Sequence, residues 1–178
     1  MAAEPDLANL IAACQQGDRG AFRVLFERFR DRVYRQARYV LGNDAAAKDA
    51  TQCVFVRVWR FLGTFDAGGD FVPWLSRVTL NVCLDERARL GPPSRALPPE
   101  MADIATVGRQ ESTVLLQEVQ RALARLPAHH STVLVLRHFE GLEYHEIAAV
   151  LECSIGTVAS RLSRAHEALS RALPEDEG

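Results

Sequence analysis

Residues 144–169 read YHEIAAVLECSIGTVASRLSRAHEAL, and this stretch decides the fold. Ile147, Ala148 and Leu151 fall on one helical stripe. Glu152, Cys153 and Ser154 form a short break, and Ser154 is a good N-cap because its hydroxyl can accept from an orphaned backbone N–H. In the helix that follows, Ile155, Val158 and Leu162 face inward. That turns Thr157, Ala159, Ser160, Ser163 and Arg164 outward. Two short helices of this polarity make a helix-turn-helix, whose second helix enters the DNA major groove with its N-terminal residues on base edges. Arg161 and Arg164 supply cations for phosphate or for guanine O6 and N7.

Away from this motif the chain stays helical in period, and nothing alternates like a strand. Asp6 can cap a first helix carrying Leu7, Leu10, Ile11 and Cys14. After Gly17, Asp18 can cap a longer one carrying Phe22, Leu25, Phe26, Phe29 and Val33, closed by Gly42 as glycine closes helices. Asn43 or Asp44 starts a third, with Val54, Phe55, Val58, Phe61 and Leu62 as its apolar face; Phe55 and Trp59 are expected in the core. A loop over residues 64–70 leads to a fourth helix from about Phe71 to Arg89. Composition then changes. LGPPSRALPPEMADIATVG, residues 90–108, holds two proline pairs and little periodic apolar content, the signature of a linker. Helical period resumes near Ser112, breaks at Pro127 and again at Gly141, and runs on to Leu173. The expectation is an all-α chain of two small helical domains, residues 1–90 and 112–178, joined by a flexible linker over 91–111.

Bulk properties limit the function classes. The 178 residues are 48% hydrophobic and 25% charged, ordinary for a folded protein. No apolar run approaches the ~20 residues that span a bilayer, and the N-terminus lacks a basic region followed by a long apolar stretch. No membrane insertion and a cytoplasmic location follow as expectations. Cys14, Cys53, Cys83 and Cys153 are far apart, so they read as buried small hydrophobes rather than a disulfide framework. His129 and His130 are adjacent and so point apart, and His138, His145 and His166 have no partner at ligand spacing. No metal site and no cofactor is expected. No Gly-rich phosphate loop, carboxylate pair or nucleophile arrangement appears, which speaks against an enzyme.

Charge adds a further constraint. The net charge is −2, whereas a chain that grips DNA unaided carries a basic excess. Residues 7–90 hold 13 Lys/Arg against 9 Asp/Glu, and residues 112–173 hold 6 against 6. The motif alone would fit an autonomous helix-turn-helix transcriptional regulator. The first half of the chain is what discriminates.

That half resembles the core domain of bacterial RNA polymerase sigma factors, in particular the small two-domain extracytoplasmic-function group. GDRGAFRVLFERFRDRVYRQAR (17–38) is similar to the family's opening helices. DAAAKDATQCVFVRVWRFL (44–62) resembles its polymerase-binding helix through Asp49, Gln52, Phe55 and Trp59. FVPWLSRVTLNVCLDERAR (71–89) resembles its promoter-melting helix through Trp74, Arg77, Asn81, Asp85, Arg87 and Arg89. Residues 123–169 are similar to its promoter-reading end. The resemblance covers about 7–90 and 112–173, in the family's order.

The resemblance implies a non-catalytic subunit that binds core RNA polymerase and directs it to promoter DNA, under the control of an anti-sigma factor. It implies that Asp49, Gln52 and Cys53 face polymerase. It implies that Phe65, Arg77, Asn81, Arg87 and Arg89 serve the minus-ten element: Phe65 and Asn81 would line a pocket for a flipped base, and the arginines would serve the backbone. Thr157, Ala159, Ser160, Arg161, Ser163 and Arg164 would read the minus-thirty-five element. The chain departs from the family pattern at Ala46 and Lys48, where acidic residues are common. It departs again at Ala159, where Lys or Arg is common, and at Glu143, where Ser or Thr is common.

Overall fold

A computed structural model describes residues 6–66, 68–90 and 110–173, with the side-chain surroundings of 110–117 excepted. Most of the expected linker lies outside the described residues. Among the described residues the chain is all-helical. The helices are α1 (Leu7–Gln15), α2 (Arg19–Leu41), α3 (Asp44–Phe61), α4 (Phe71–Leu90), α5 (Gln110–Arg125), α6 (Ala128–Leu134), α7 (Tyr144–Val150) and α8 (Ile155–Ala172). A 3₁₀ turn, Leu62–Thr64, follows α3, and a π-helical turn, Val135–Phe139, follows α6.

Local signals set the boundaries. Asp18 accepts from the backbone N–H groups of Gly20 at 2.7 Å and Ala21 at 3.1 Å, which caps α2. Asn43 accepts from Ala46 N at 2.9 Å and caps α3. Asp6 makes no side-chain cap bond to α1. Gly42 ends α2 at φ +69°, in the left-handed region that favours glycine. It is doubly constrained, because a Cβ there would lie 2.7 Å from Cβ of Ala124 on α5.

The first half is a bundle around α2. Leu25, Phe29, Val33, Ala37 and Val40 form a buried stripe that meets Val54, Phe55 and Val58 of α3 and Leu75, Val82 and Cys83 of α4. Aromatic edges reinforce it: Phe26 on Phe55 at 4.7 Å and Phe29 on Phe71 at 5.2 Å between centroids. Trp59 departs from the expected core position. It touches Phe22 at 4.8 Å yet stays 40% exposed, because α3 turns that flank towards solvent beyond the end of the α2 packing.

The second half packs Leu123, Val133, Leu134, Leu136, Ile147, Val158, Leu162 and Ala165. Val158 and Leu162 point inward as expected, but Ile155 is 54% exposed. It sits in the first turn of α8, ahead of the stripe that the neighbouring helices cover.

The two halves do not stand apart. The α5 and α6 helices and the π-helical turn pack on α2, and α7 packs on α4. Residues 36–40 are consequently all buried, so the helix is covered on every side. Tyr39 meets Phe139 with ring centroids 3.8 Å apart, and its hydroxyl bonds with Gln120.

Thiol chemistry reads this packing directly. Cys53 is exposed, Cys153 half-buried, and Cys14 and Cys83 are buried. Burial pushes the Cys83 thiol up to about 12, with Glu86 adding to it, and raises Cys14 in the same direction. The thiolate is the reactive form. Alkylation of the native chain followed by peptide mass mapping should modify Cys53 first and Cys83 only after unfolding. Equal rates at Cys53 and Cys83 would contradict the packing.

Candidate nucleic-acid interface

Three surfaces carry the polar residues that the sequence singles out. On α3, Asp49, Gln52 and Cys53 are exposed and share one helical face. The same face continues through Val56, 53% exposed, and Arg60. Sequence reasoning passed over Val56; its signal is an apolar residue four places after Gln52, out of phase with the buried set Val54, Phe55 and Val58. Lys48 does not leave a bare cation beside Asp49, since it pairs with Asp44 at 2.7 Å. The Lys48 hydrogen bond, with a second from Tyr34, holds the Asp44 carboxyl below the usual carboxylate range. The start of α3 is thereby close to neutral.

The second surface is the loop after α3 with the exposed side of α4. Phe65 is only 8% exposed; its ring packs on Phe71 at 5.6 Å and Trp74 at 5.2 Å. Gln15 of α1 fixes this loop from beneath, donating to the carbonyls of Leu62 at 3.0 Å and Phe65 at 2.8 Å. Nothing local in the sequence points to Gln15, whose partners lie 47 and 50 residues away. Asn81 is exposed. The three arginines expected beside it are engaged within the molecule. Arg77 pairs with Glu152 in the turn of the helix-turn-helix. Arg87 donates to the Leu126 carbonyl at 2.8 Å and to Ser131 Oγ at 3.2 Å. Arg89 makes a two-pronged contact with Glu86 at 3.0 and 2.6 Å.

The third surface is α8. Ser154 caps it as expected, accepting from Thr157 N at 3.1 Å. Its hydroxyl also lies 2.9 Å from Thr157 Oγ1, and Ser160 Oγ donates to the Thr157 carbonyl at 3.0 Å. These hydroxyls are committed to their own helix. Ala159, Ser160, Ser163 and Arg164 are exposed, while Thr157 and Arg161 are half-buried. The turn before α8 places Glu152 at φ +50°, a left-handed conformation outside glycine. Glu143 opens α7, where its backbone N–H donates to Glu146 at 2.6 Å and its carboxylate pairs with Arg137 at 3.1 Å. Its charge is therefore compensated locally.

The histidines correct the sequence reading. His138 and His166, 28 residues apart, bring their Nε2 atoms to 2.9 Å, because α6, which leads into the π-helical turn, packs against α8. His129 and His130 do not point apart; their ring centroids are 4.2 Å from one another. Among the described residues no group of three or more His, Cys, Asp or Glu is placed to hold a metal ion.

Family comparisons cover both halves. The Sigma-70 region 2 model matches residues 25–91, and the Sigma-70 region 4 model matches residues 116–169. RNA polymerase sigma-H factor of Pseudomonas aeruginosa is 30% identical over 178 residues, covering 93% of this chain and 92% of that one. The chain belongs to the extracytoplasmic-function sigma factors of RNA polymerase. A second relative, ECF RNA polymerase sigma-E factor of Haemophilus influenzae, is 33% identical and covers 89% of this chain and 90% of its own. Among solved structures, CnrH in complex with the cytosolic domain of CnrY matches with a TM-score of 0.73 at 28% identity, over 96% of this chain and 98% of that one. This sigma factor is a transcription initiation factor and not an enzyme. Its α3 and α4 lie in region 2, and its helix-turn-helix lies in region 4. No described helix is long and apolar enough to cross a membrane.

The cap on α8 gives a test of this geometry. Replacing Ser154 by Ala should cost about 1 kcal/mol and lower the thermal midpoint by about 2–4 °C, read by circular dichroism. An unchanged midpoint would show that the cap bonds contribute nothing to holding α8.

Proposed function

We propose that this sigma factor is a two-part promoter reader that acts only as a subunit of RNA polymerase. Residues 1–90 form the polymerase-binding and minus-ten unit, 91–111 the linker, and 112–178 the minus-thirty-five unit. The observation that carries the reading is the presence, in one chain, of an exposed polar face on α3 and an exposed polar face on α8. Asp49, Gln52 and Cys53 meet core polymerase. Asn81 pairs with a base edge of the melted minus-ten strand, since its amide offers both a donor and an acceptor. Phe65 supports that pocket from within the aromatic cluster rather than as an open stacking wall. Arg77, Arg87 and Arg89 serve the DNA backbone. Thr157, Ala159, Ser160, Arg161, Ser163 and Arg164 read the minus-thirty-five duplex.

The net charge of −2 fits this division of labour. Polymerase supplies the electrostatic grip that a chain of this charge lacks. The factor works in the cytoplasm, where polymerase is. An anti-sigma factor controls it; CnrH, a neighbour in structure, is seen with the cytosolic domain of a second protein, which supports this.

Transcription in vitro with core polymerase and fragmented genomic DNA should give promoter-specific starts that depend on this chain. Tight specific binding to bare duplex, with no effect on initiation, would favour an autonomous regulator instead. Arg164→Ala should weaken minus-thirty-five recognition by ~1–3 kcal/mol through loss of a guanine contact, whereas Asn81→Ala should change preference within the minus-ten element. Unchanged promoter preference in either variant rejects that residue's role. Core polymerase should also shield Cys53 from alkylation, and undiminished labelling in the complex would remove it from the interface.

A further inference from the structure

His138 and His166 are not among the residues assigned to polymerase or promoter, yet they form the closest imidazole pair among the described residues that joins two separate elements. His138 sits in the π-helical turn Val135–Phe139 and His166 on α8. Both side chains are exposed, so core packing does not account for the meeting. Their Nε2 atoms are 2.9 Å apart, while the ring centroids are 5.1 Å apart with the planes at 74°. The centroid separation exceeds that of the nitrogens by about two ring radii, so the nitrogens point at one another. Single π-helical turns are rare and frequently lie at functional sites.

Coordination chemistry decides what such a pair can hold. Imidazole suits zinc, copper and nickel, and its nitrogen binds zinc at about 2.0–2.1 Å. Two nitrogens on one ion are then about 2.9 Å apart at a right angle and about 3.4 Å apart at a tetrahedral angle. The observed separation is at the short end of that range, so a small swivel of either exposed ring admits an ion without moving the backbone. Protonation favours it as well. Partial desolvation, with His166 and Arg137 adding to it, holds His138 below the usual imidazole range, and the neutral ring is the form that ligates. Arg137 itself is engaged elsewhere, with the Leu142 carbonyl at 3.0 Å and Glu143 at 3.1 Å.

We propose that His138 and His166 form a two-histidine site for a divalent transition-metal ion, which ties the π-helical turn to α8. Nε2 of each ring supplies one ligand, and water completes the coordination on the exposed side. No third protein ligand is called on, in keeping with the absence of any group of three or more His, Cys, Asp or Glu placed for a metal among the described residues. The site does not rest on the assignment of the promoter-reading residues. Because its ligands come from two elements, the ion is a brace: it binds the folded form and stabilises it by mass action. The second imidazole pair, His129 and His130, is unsuited to this. Both rings belong to α6, so an ion there would join nothing, and Nδ1 of His130 is buried.

Titration calorimetry of the metal-free full chain with Ni²⁺ and with Zn²⁺, neither of which oxidises free thiols, tests this. The wild type should take up one equivalent that His138→Gln and His166→Gln each lose and His129→Gln keeps. At 100-fold above the Kd the ion should raise the thermal midpoint of the wild type by about 5–10 °C and leave that of the two ligand variants where it was. In proton NMR, Ni²⁺ should broaden the imidazole signals of His138 and His166 before those of His129 and His130. Binding should fade as the pH falls through the imidazole range, because the ligands must be unprotonated. Far-UV circular dichroism of the metal-free variants matching the wild type separates loss of a ligand from loss of the fold. An equivalent that survives in His138→Gln or His166→Gln would place the ion elsewhere, at the exposed Cys53 for example, and overturn the proposal. So would the absence of saturable binding to the wild type, or a rise in midpoint that the ligand variants share.

Discussion

The structure depends on the complete burial of the last third of α2. Residues 36–40 are buried without interruption, which a surface helix with a single apolar stripe does not show. The first half accounts for one side, where Ala37 and Val40 continue the stripe from Leu25 and Gln36 donates to the Ser76 carbonyl at 3.1 Å. The second half accounts for the other, through Tyr39 on Phe139 and the close approach of α5 at Gly42. Arg38 is buried in the same stretch, with the Asp44 carboxylate 4.0 Å from its Nε. A polar group in such a place costs stability unless it has partners; Asp44 supplies a counter-charge, while Nε and Nη1 of Arg38 make no hydrogen bond.

From this packing the functional geometry follows. Covering α2 on both sides draws α7 onto α4 and brings the helix-turn-helix turn to Arg77. Among the faces left open are the Asp49 row of α3, Asn81 on α4, and the first turns of α8. On the proposed assignment these are one protein surface and two DNA surfaces, held by one rigid helix on the region 2 side and one capped helix on the region 4 side. Electrostatics points the same way. Lys48, Glu143 and Arg89 each have a local counter-ion, and exposed pairs of this kind contribute little to stability. Their effect is to balance each of these three charges within a few residues of itself.

Much of this was legible in the sequence, for local reasons. Helix boundaries at Asp18, Gly42, Asn43 and Ser154 are properties of a few adjacent residues, and each appears where the capping chemistry predicts. Periodicity placed Val54, Phe55 and Val58 inside, but Cys53, read as a buried small hydrophobe, and Phe61, read as part of the apolar face, are exposed. What failed depended on tertiary neighbours. Ile155 and Trp59 carry the right residue type for a core but stay exposed, Trp59 even with Phe22 of α2 against its ring. His138 meets His166 because α6, ahead of the π-helical turn, packs on α8. The occupation of Arg77 and Arg87 was invisible for the same reason: their partners are 75, 39 and 44 residues away, and no local spacing encodes them. The resemblance to sigma factors supplied candidate roles, but it could not say which of those side chains the folded chain already uses.

On the proposed reading, the exposed face of α3 is the surface that core polymerase covers, while the buried residues 36–40 hold the two halves together on α2. Hydrogen–deuterium exchange on the free factor and on its complex with core polymerase tests this most directly. Exchange along the Asp49–Cys53 face of α3 should be slower in the complex than in the free factor, and residues 36–40 of α2 should exchange slowly in the free factor. Unchanged exchange along α3 in the complex, or fast exchange at residues 36–40 in the free factor, would contradict it.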